Sequence, residues 1–106
     1  MGSGASSPDG LVKAAGEGGN LAAVQRVLAK GIPINSTNSN GYTALMMAAY
    51  QGHLDIVRFL LASGADLSIK DRSGLTAMDW AKKNSYRNFD EIIALLADFV
   101  KVRESF

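Results

Sequence analysis

Residues 38–66 read NSNGYTALMMAAYQGHLDIVRFLLASGAD, a turn cluster followed by two short helical patterns. Gly41 can adopt the positive φ of a tight turn, and Thr43 is a favourable residue at a helix N-cap. Two apolar stripes at helical spacing follow, and they stop at Gly52 and Gly64. Their members are Leu45, Ala48 and Ala49 in the first and Leu54, Val57, Leu60 and Leu61 in the second. The stretch therefore predicts a helix, a tight turn and a second helix.

The same pattern recurs along the chain at an offset of 33 residues. The residues that repeat are the pairs Gly19/Gly52, Gly31/Gly64, Gly41/Gly74, Val12/Leu45, Leu21/Leu54, Val24/Val57, Leu28/Leu61 and Ala48/Ala81. A fixed period of this length is typical of units that cannot bury their apolar faces alone and stack on their neighbours. The sequence predicts an all-α solenoid of stacked helix-turn-helix repeats, with short hairpin-like fingers between the units.

The period also sets the expected boundaries. We expect a flexible N-terminal segment at 1–8 and one repeat domain at 9–106, with repeats at about 9–37, 38–70 and 71–106. In the last repeat the second stripe returns at an offset of 35, which places a two-residue insertion within residues 83–88. The final helix extends as a cap. Its residues Phe99, Val102 and Phe106 either fold back on the stack or form a docking or dimer surface.

These repeats resemble those of the ankyrin repeat family over about residues 9–98. The motifs that carry the resemblance are Asn38 to Leu45, Ala48-Ala49, Gly52 to Leu61, Gly64-Ala65-Asp66, and Asp71 to Met78 with Ala81. Ala44 and Met46 stand where the family has proline and histidine, and Ala77 and Asp79 replace the same pair in the last repeat. We expect the hydrogen bonds that the histidine lends between neighbouring loops to be missing.

The resemblance implies a non-catalytic module that binds another protein. In the family, partners contact the finger tips and the exposed side of the first helices. The corresponding positions are Ser39, Asn40, Tyr42, Tyr50, Gln51, Lys70, Arg72, Ser73, Leu75, Lys83 and Asn84. Tyrosine and arginine often dominate the binding energy of an interface. The alternative is that Tyr42 and Tyr50 only cover neighbouring repeats, and Trp80 is expected to lie between core and groove.

Composition narrows the remaining function classes. The 106 residues are 47% hydrophobic and carry a net charge of only +1, which gives no general attraction to nucleic acid. Residues 70–87 hold a local excess of three positive charges, which favours either an acidic or phosphorylated partner segment or a solvated basic face. The lack of cysteine fits a reducing compartment, the cytoplasm or the nucleus. We expect a monomer.

No residue pattern indicates an enzyme, a metal site or a cofactor. His53 is the only histidine, and without cysteine it cannot supply the three or four ligands of a metal site. The glycine-rich residues 16–20 lack the lysine of a phosphate-binding loop and fall at an inter-helix turn. Asn35 matches a position that is hydroxylated in the family, and the same residue can simply close a finger turn.

Residues 1–6 match the N-myristoylation pattern, with Gly2 as the acceptor, and they also resemble a cloning linker. A lipid at Gly2 would favour a second function, that of a regulatory or targeting subunit that masks or tethers an enzyme. One acyl chain gives only marginal membrane binding. We expect contact with a membrane only through this modification.

Overall fold

A computed structural model describes the backbone of residues 7–104 and the side chains of residues 7–100. In this part of the chain the helices are α1 (Pro8–Lys13), α2 (Leu21–Ala29), α3 (Ala44–Gln51), α4 (Leu54–Ala62), α5 (Ala77–Lys82) and α6 (Phe89–Glu104). A π-helical segment, Ala14–Gly18, continues α1. The predicted all-α stack of helix-turn-helix repeats is confirmed.

Threonine side chains start the first helices of the second and third repeats. Thr43 Oγ1 accepts the Met46 N–H at 3.1 Å, and Thr76 Oγ1 accepts the Asp79 N–H at 3.3 Å. The caps are reciprocal, because the Thr43 N–H donates to the Met46 sulfur at 3.3 Å and the Thr76 N–H donates to Asp79 Oδ2 at 2.9 Å. The residues that replace the family's histidine therefore stabilise the beginning of their own helices.

Two fingers, residues 32–43 and 65–76, project beside the helices. Asn38 and Asp71 occupy equivalent positions, and each uses a side-chain oxygen to accept the N–H groups of the residues two and four positions later. The Arg72 N–H donates to the Asn40 carbonyl at 3.2 Å. The backbone itself therefore links the fingers, without the hydrogen bonds that the family's histidine would lend.

The core runs through the stack as two rows of helices. In the first row small residues let the helices lie close together, and Ala48, Ala49 and Ala81 are buried. A Cβ on Gly16 would lie only 2.8 Å from the Met47 Cβ, so glycine is required where the π segment meets α3. Larger residues fill the second row, where the fully buried side chains are Val24, Ile56, Val57, Leu60, Ile92 and Leu96. Each unit thus depends on its neighbour for burial of its apolar face.

The turns between paired helices differ in length. Residues 52 and 53 join α3 to α4, whereas residues 83–88 join α5 to α6. The longer turn predicted for the last repeat is confirmed. It packs against the preceding turn, because Asn88 Nδ2 donates to the Gly52 carbonyl at 2.9 Å.

Candidate functional site

A groove of about 380 Å³ lies on the side of the stack formed by the first helices and the first finger. One wall is α1 with the π segment, and the other is the first finger with α3. Its lining residues are Asp9, Val12, Lys13, Gly16, Glu17, Asn38, Ser39, Tyr42, Met47 and Gln51. The volume lies within the usual range of ligand sites, and the lining mixes carboxylates, amides, a phenol and apolar groups. Such a surface suits a side chain or a short segment of another protein.

Four aromatic side chains continue this groove toward the last repeat, and we call Tyr42, Tyr50, Trp80 and Tyr86 the aromatic cluster. The Trp80 ring meets Tyr42 and Tyr50 edge-on, with centroids 5.3 and 5.2 Å away, and Tyr50 meets Tyr86 at 5.8 Å. Edge-on pairs of this kind are favourable beyond their buried area. Tyr86 remains 59% exposed, so the cluster presents an aromatic edge to solvent.

A carboxylate beneath the cluster fixes the position of Trp80. Asp71 is buried, and its Oδ2 accepts the Trp80 indole N–H at 2.9 Å. The backbone N–H of Leu75 is the main cause that lowers the pKa of Asp71. The indole and the Ser73 N–H lower it further, and burial opposes them. The second finger and the aromatic cluster are therefore held by one ionised side chain.

Asp79 lies in the first turn of α5, and its carboxylate is also hydrogen-bonded. The Thr76 N–H, and then the Thr76 hydroxyl, lower the pKa of Asp79, with a smaller contribution from the charge of Lys82. Its Oδ2 accepts both Thr76 groups, at 2.9 and 3.1 Å. Asp79 thus acts mainly as a helix cap.

The structure brings only some of the predicted site residues together. Ser39, Tyr42 and Gln51 share the groove, and Tyr42 and Tyr50 share contact with Trp80. Both tyrosines are half-buried, so they cover the neighbouring repeat and still present part of each ring to solvent. Leu75 is half-buried, while the exposed finger and helix-end residues are Asn40, Lys70, Arg72, Ser73 and Lys83.

Asn84 differs from the surface position expected from its alignment. It is only 6% exposed, and its Nδ2 donates to the Arg87 carbonyl at 2.7 Å. Its Oδ1 accepts the Tyr86 N–H at 2.8 Å. The inserted residues turn the chain back over Asn84, and the amide shapes that turn and is not presented to a partner.

Sequence reasoning missed the first repeat's contribution to the groove. Asp9 and Glu17 line it, yet neither was among the predicted site residues. The signal was present in the period, because Asp9 precedes Tyr42 by 33 positions and Glu17 precedes Tyr50 by 33. Transfer of the site positions back by one repeat would have found both carboxylates.

His53 has a structural position at the turns. Its Nε2 lies 2.8 Å from the Gly16 carbonyl, so the ring N–H donates to the middle of the π segment. Gly19 ends that segment with a left-handed backbone, as expected for an inter-helix turn.

Within residues 7–100, no three histidine or acidic side chains are arranged to hold a metal ion. No helix of the described chain has the length and apolar character needed to cross a bilayer.

A second depression, of about 420 Å³, lies at the inter-helix turns and is lined by Gly19, Gly52, His53, Leu54, Asp55, Arg58, Arg87 and Asn88. None of the predicted site residues borders it.

Asn35 lies elsewhere, at the base of the first finger, where its Oδ1 accepts the Asp66 N–H at 2.8 Å. Its amide thus joins successive fingers.

Two predicted features lie outside the described residues. Gly2 falls in residues 1–6, and the side chains of Val102 and Phe106 fall in residues 101–106. Of the apolar set on the last helix, Phe99 is half-buried against the core.

Comparison with known proteins identifies the repeats. The family model described as ankyrin repeats (3 copies) matches residues 11–103, which is most of the chain. A human protein named NAD-capped RNA hydrolase NUDT12 is 46% identical over 61 residues, 58% of this chain and 13% of that protein. The rat ankyrin repeat and SAM domain-containing protein 6 is 42% identical over 62 residues, 58% of this chain and 7% of its own length.

A shorter relative gives a similar result. The bovine ankyrin repeat domain-containing protein 49 is 44% identical over 61 residues, which is 57% of this chain and 26% of that protein. The chain thus spans about a quarter or less of these relatives. The shared feature is the repeat array.

Proposed function

The chain belongs to the ankyrin repeat family, and we propose that it is a non-catalytic module that binds a partner protein through its finger tips and the groove beside its first helices. Ankyrin repeats are a protein–protein interaction module and are generally not catalytic. A repeat array specifies a shape, whereas a few surface side chains specify the partner.

The observation that carries the proposal is the continuity of the groove with the aromatic cluster. Tyr42 lines the groove and contacts Trp80, so the polar and aromatic surfaces meet at one residue. Tyrosine and tryptophan supply a large contact area at a low cost in conformational entropy. Since Trp80 is held by Asp71, the surface is already ordered before a partner arrives.

Exposed basic residues beside the cluster support a partner with acidic or phosphorylated groups. Lys70 and Arg72 lie on the second finger and Lys83 follows α5, and all three are exposed. Asp71, between the first two, is buried and its oxygens accept hydrogen bonds from the finger and Trp80. The positive charges therefore face solvent, where they can attract an acidic surface.

Blocking substitutions in the groove test the proposal without removing core contacts. Gln51→Arg and Ser39→Arg add bulk and charge to the groove, and Gln25→Arg makes the same change on the exposed face of α2. Proteins captured by the wild-type chain from a cell extract are identified, purified and titrated against each variant. We expect the groove variants to weaken binding by about tenfold or more, as loss of a central contact does, with Gln25→Arg unchanged.

Thermal unfolding of all three variants checks that they remain folded. A purified partner that binds both groove variants and the wild type with equal affinity would refute the groove as the binding surface.

A further inference from the structure

Equivalent positions of the three repeats carry different chemistry, beginning in the groove and continuing along the stack past the aromatic cluster. Glu17, Tyr50 and Lys83 follow one another at intervals of 33 residues, and each lies at or just beyond the end of its first helix. Glu17 and Lys83 are exposed, and Tyr50 is half-buried against Trp80. The side chain at this position is thus a carboxylate in the first repeat, a phenol in the second and an ammonium group in the third.

The end of the groove at the first repeat is acidic. Asp9 and Glu17 both line it. Lys13 lies one helical turn from each of them and is the cation that the first repeat contributes to the lining. Lys13 offsets one of the two carboxylates and leaves an excess of one negative charge. Tyr42 faces this end from the first finger, and its ring can cover the aliphatic stem or the cation of a basic side chain.

The opposite end is basic. By the repeat register, Lys83 takes the position of Tyr50 one repeat further along the stack, and Arg72 takes the position in the second finger that Ser39 has in the first; both are exposed. The nearby carboxylates are already engaged, since Asp71 holds the indole of Trp80 and Asp79 caps its own helix. Arg72 and Lys83 are thus available to a partner, as is the exposed Lys70 on the same finger.

We infer that the groove selects an extended segment of a partner protein that has a basic residue at one end and an acidic residue at the other. The basic residue lies between Asp9 and Glu17, the acidic residue meets Lys83 and Arg72, and apolar residues between them cover Tyr42 and Tyr50. This inference rests on the proposed function and adds the charge order of the ligand. A uniformly acidic segment is disfavoured because it would place like charges against Asp9 and Glu17.

The stack also sets the spacing of the two charges. Packed helices lie about 8–10 Å apart, so the first and third repeats are separated by roughly 16–20 Å. An extended chain advances about 3.3 Å per residue, and the charged residues of the segment should therefore be about five or six positions apart.

Selection from a random peptide library on the immobilised full chain tests the inference. We expect enriched peptides to carry lysine or arginine and aspartate or glutamate about five or six positions apart, around an apolar centre. The same library is then selected on a charge-swapped chain with Asp9→Lys, Glu17→Lys, Arg72→Glu and Lys83→Glu. All four residues are exposed, so the fold is retained, and circular dichroism verifies it.

Peptides enriched on the charge-swapped chain should have their basic and acidic residues exchanged, from N- to C-terminus, relative to the peptides enriched on the wild-type chain. A matched control, Arg26→Glu, Lys30→Glu, Glu91→Lys and Asp98→Lys, exchanges the same number of exposed charges outside the groove and should leave the order unchanged. For a synthesised peptide, Glu17→Gln should weaken binding about two- to fivefold, the range of an exposed ion pair, and only when the peptide keeps its basic residue.

Three results would overturn the inference: no enrichment, enrichment without a charge order, or an order that the swap does not invert. The response to Gln51→Arg separates this failure from failure of the proposed function. Peptides without a charge order that still lose binding on Gln51→Arg leave the groove as the binding surface, whereas peptides indifferent to Gln51→Arg refute both.

Discussion

Substitution of Gly52 by alanine tests how the long turn of the last repeat is joined to the stack. Gly52 ends α3 with a φ of +81°, and its carbonyl accepts the Asn88 Nδ2 hydrogen at 2.9 Å. A Cβ at this position would lie 2.5 Å from the Arg87 carbonyl oxygen and 2.6 Å from the Arg87 Cγ. Alanine therefore meets both an unfavourable backbone conformation and the neighbouring turn.

Gly64 provides a matched control because it separates the two effects. It also has a positive φ, +92°, but a Cβ there would meet no atom within 4 Å. We expect Gly64→Ala to cost about 1–2 kcal/mol, the penalty of a left-handed alanine. Displacement of backbone in a packed site adds about 1–3 kcal/mol, so Gly52→Ala should cost about 2–5 kcal/mol in total.

Urea denaturation followed by circular dichroism and by the fluorescence of Trp80 measures both values. A loss of this size is a large fraction of the stability of a small domain, about 5–15 kcal/mol, and should be visible as a lower midpoint at an unchanged slope. Equal destabilisation by the two substitutions would refute the conclusion that the inserted turn packs against Gly52.

Three further outcomes are expected. Hydrogen bonds from Leu75, and then from Trp80 and Ser73, lower the pKa of Asp71, so its stabilising effect is present at neutral pH and lost as pH falls through the lowered pKa. Asp71→Asn should therefore lower the urea midpoint at pH 7 and flatten its acid dependence, and parallel midpoint curves between pH 7 and 3 would contradict this. Asn35→Ala should cost about 0.5–1.5 kcal/mol in urea denaturation because the Asp66 N–H loses its acceptor, whereas Asn35→Asp keeps one. A chain that ends at residue 70 should show no cooperative thermal transition, since the middle repeat loses a covering neighbour, and a sharp transition would refute the stacking argument.

The repeat architecture was predictable because its determinants are local in the sequence. Thr43 and Thr76 cap their helices through atoms three residues away, and the glycines that end helices adopt a positive φ that glycine tolerates without help from the rest of the fold. The offset of 35 in the last repeat likewise predicted the longer turn at residues 83–88. The link between the fingers was not predictable from the missing histidine, because the Arg72 and Asn40 backbones supply it.

The composition of the candidate site depended on packing that the repeat pattern does not specify. The alignment placed Asn84 on the surface, but the inserted turn folds over it and buries its amide. Tyr42 and Tyr50 belong to different elements, and only the packing of α3 against α5 brings both rings onto Trp80. Asp9 and Glu17 line the groove because α1 and the π segment pack beside α3, at positions that the period makes equivalent to Tyr42 and Tyr50.

The period, the helices, their caps and the residue types along each repeat are set by the order of amino acids alone. These follow from hydrogen bonds and apolar spacing within a few residues of each position. The packing of the repeats against one another sets which side chains share the groove and which are buried. The reason is that many of these neighbours are about 30 or more positions apart in the chain, so their meeting depends on how closely the repeats stack.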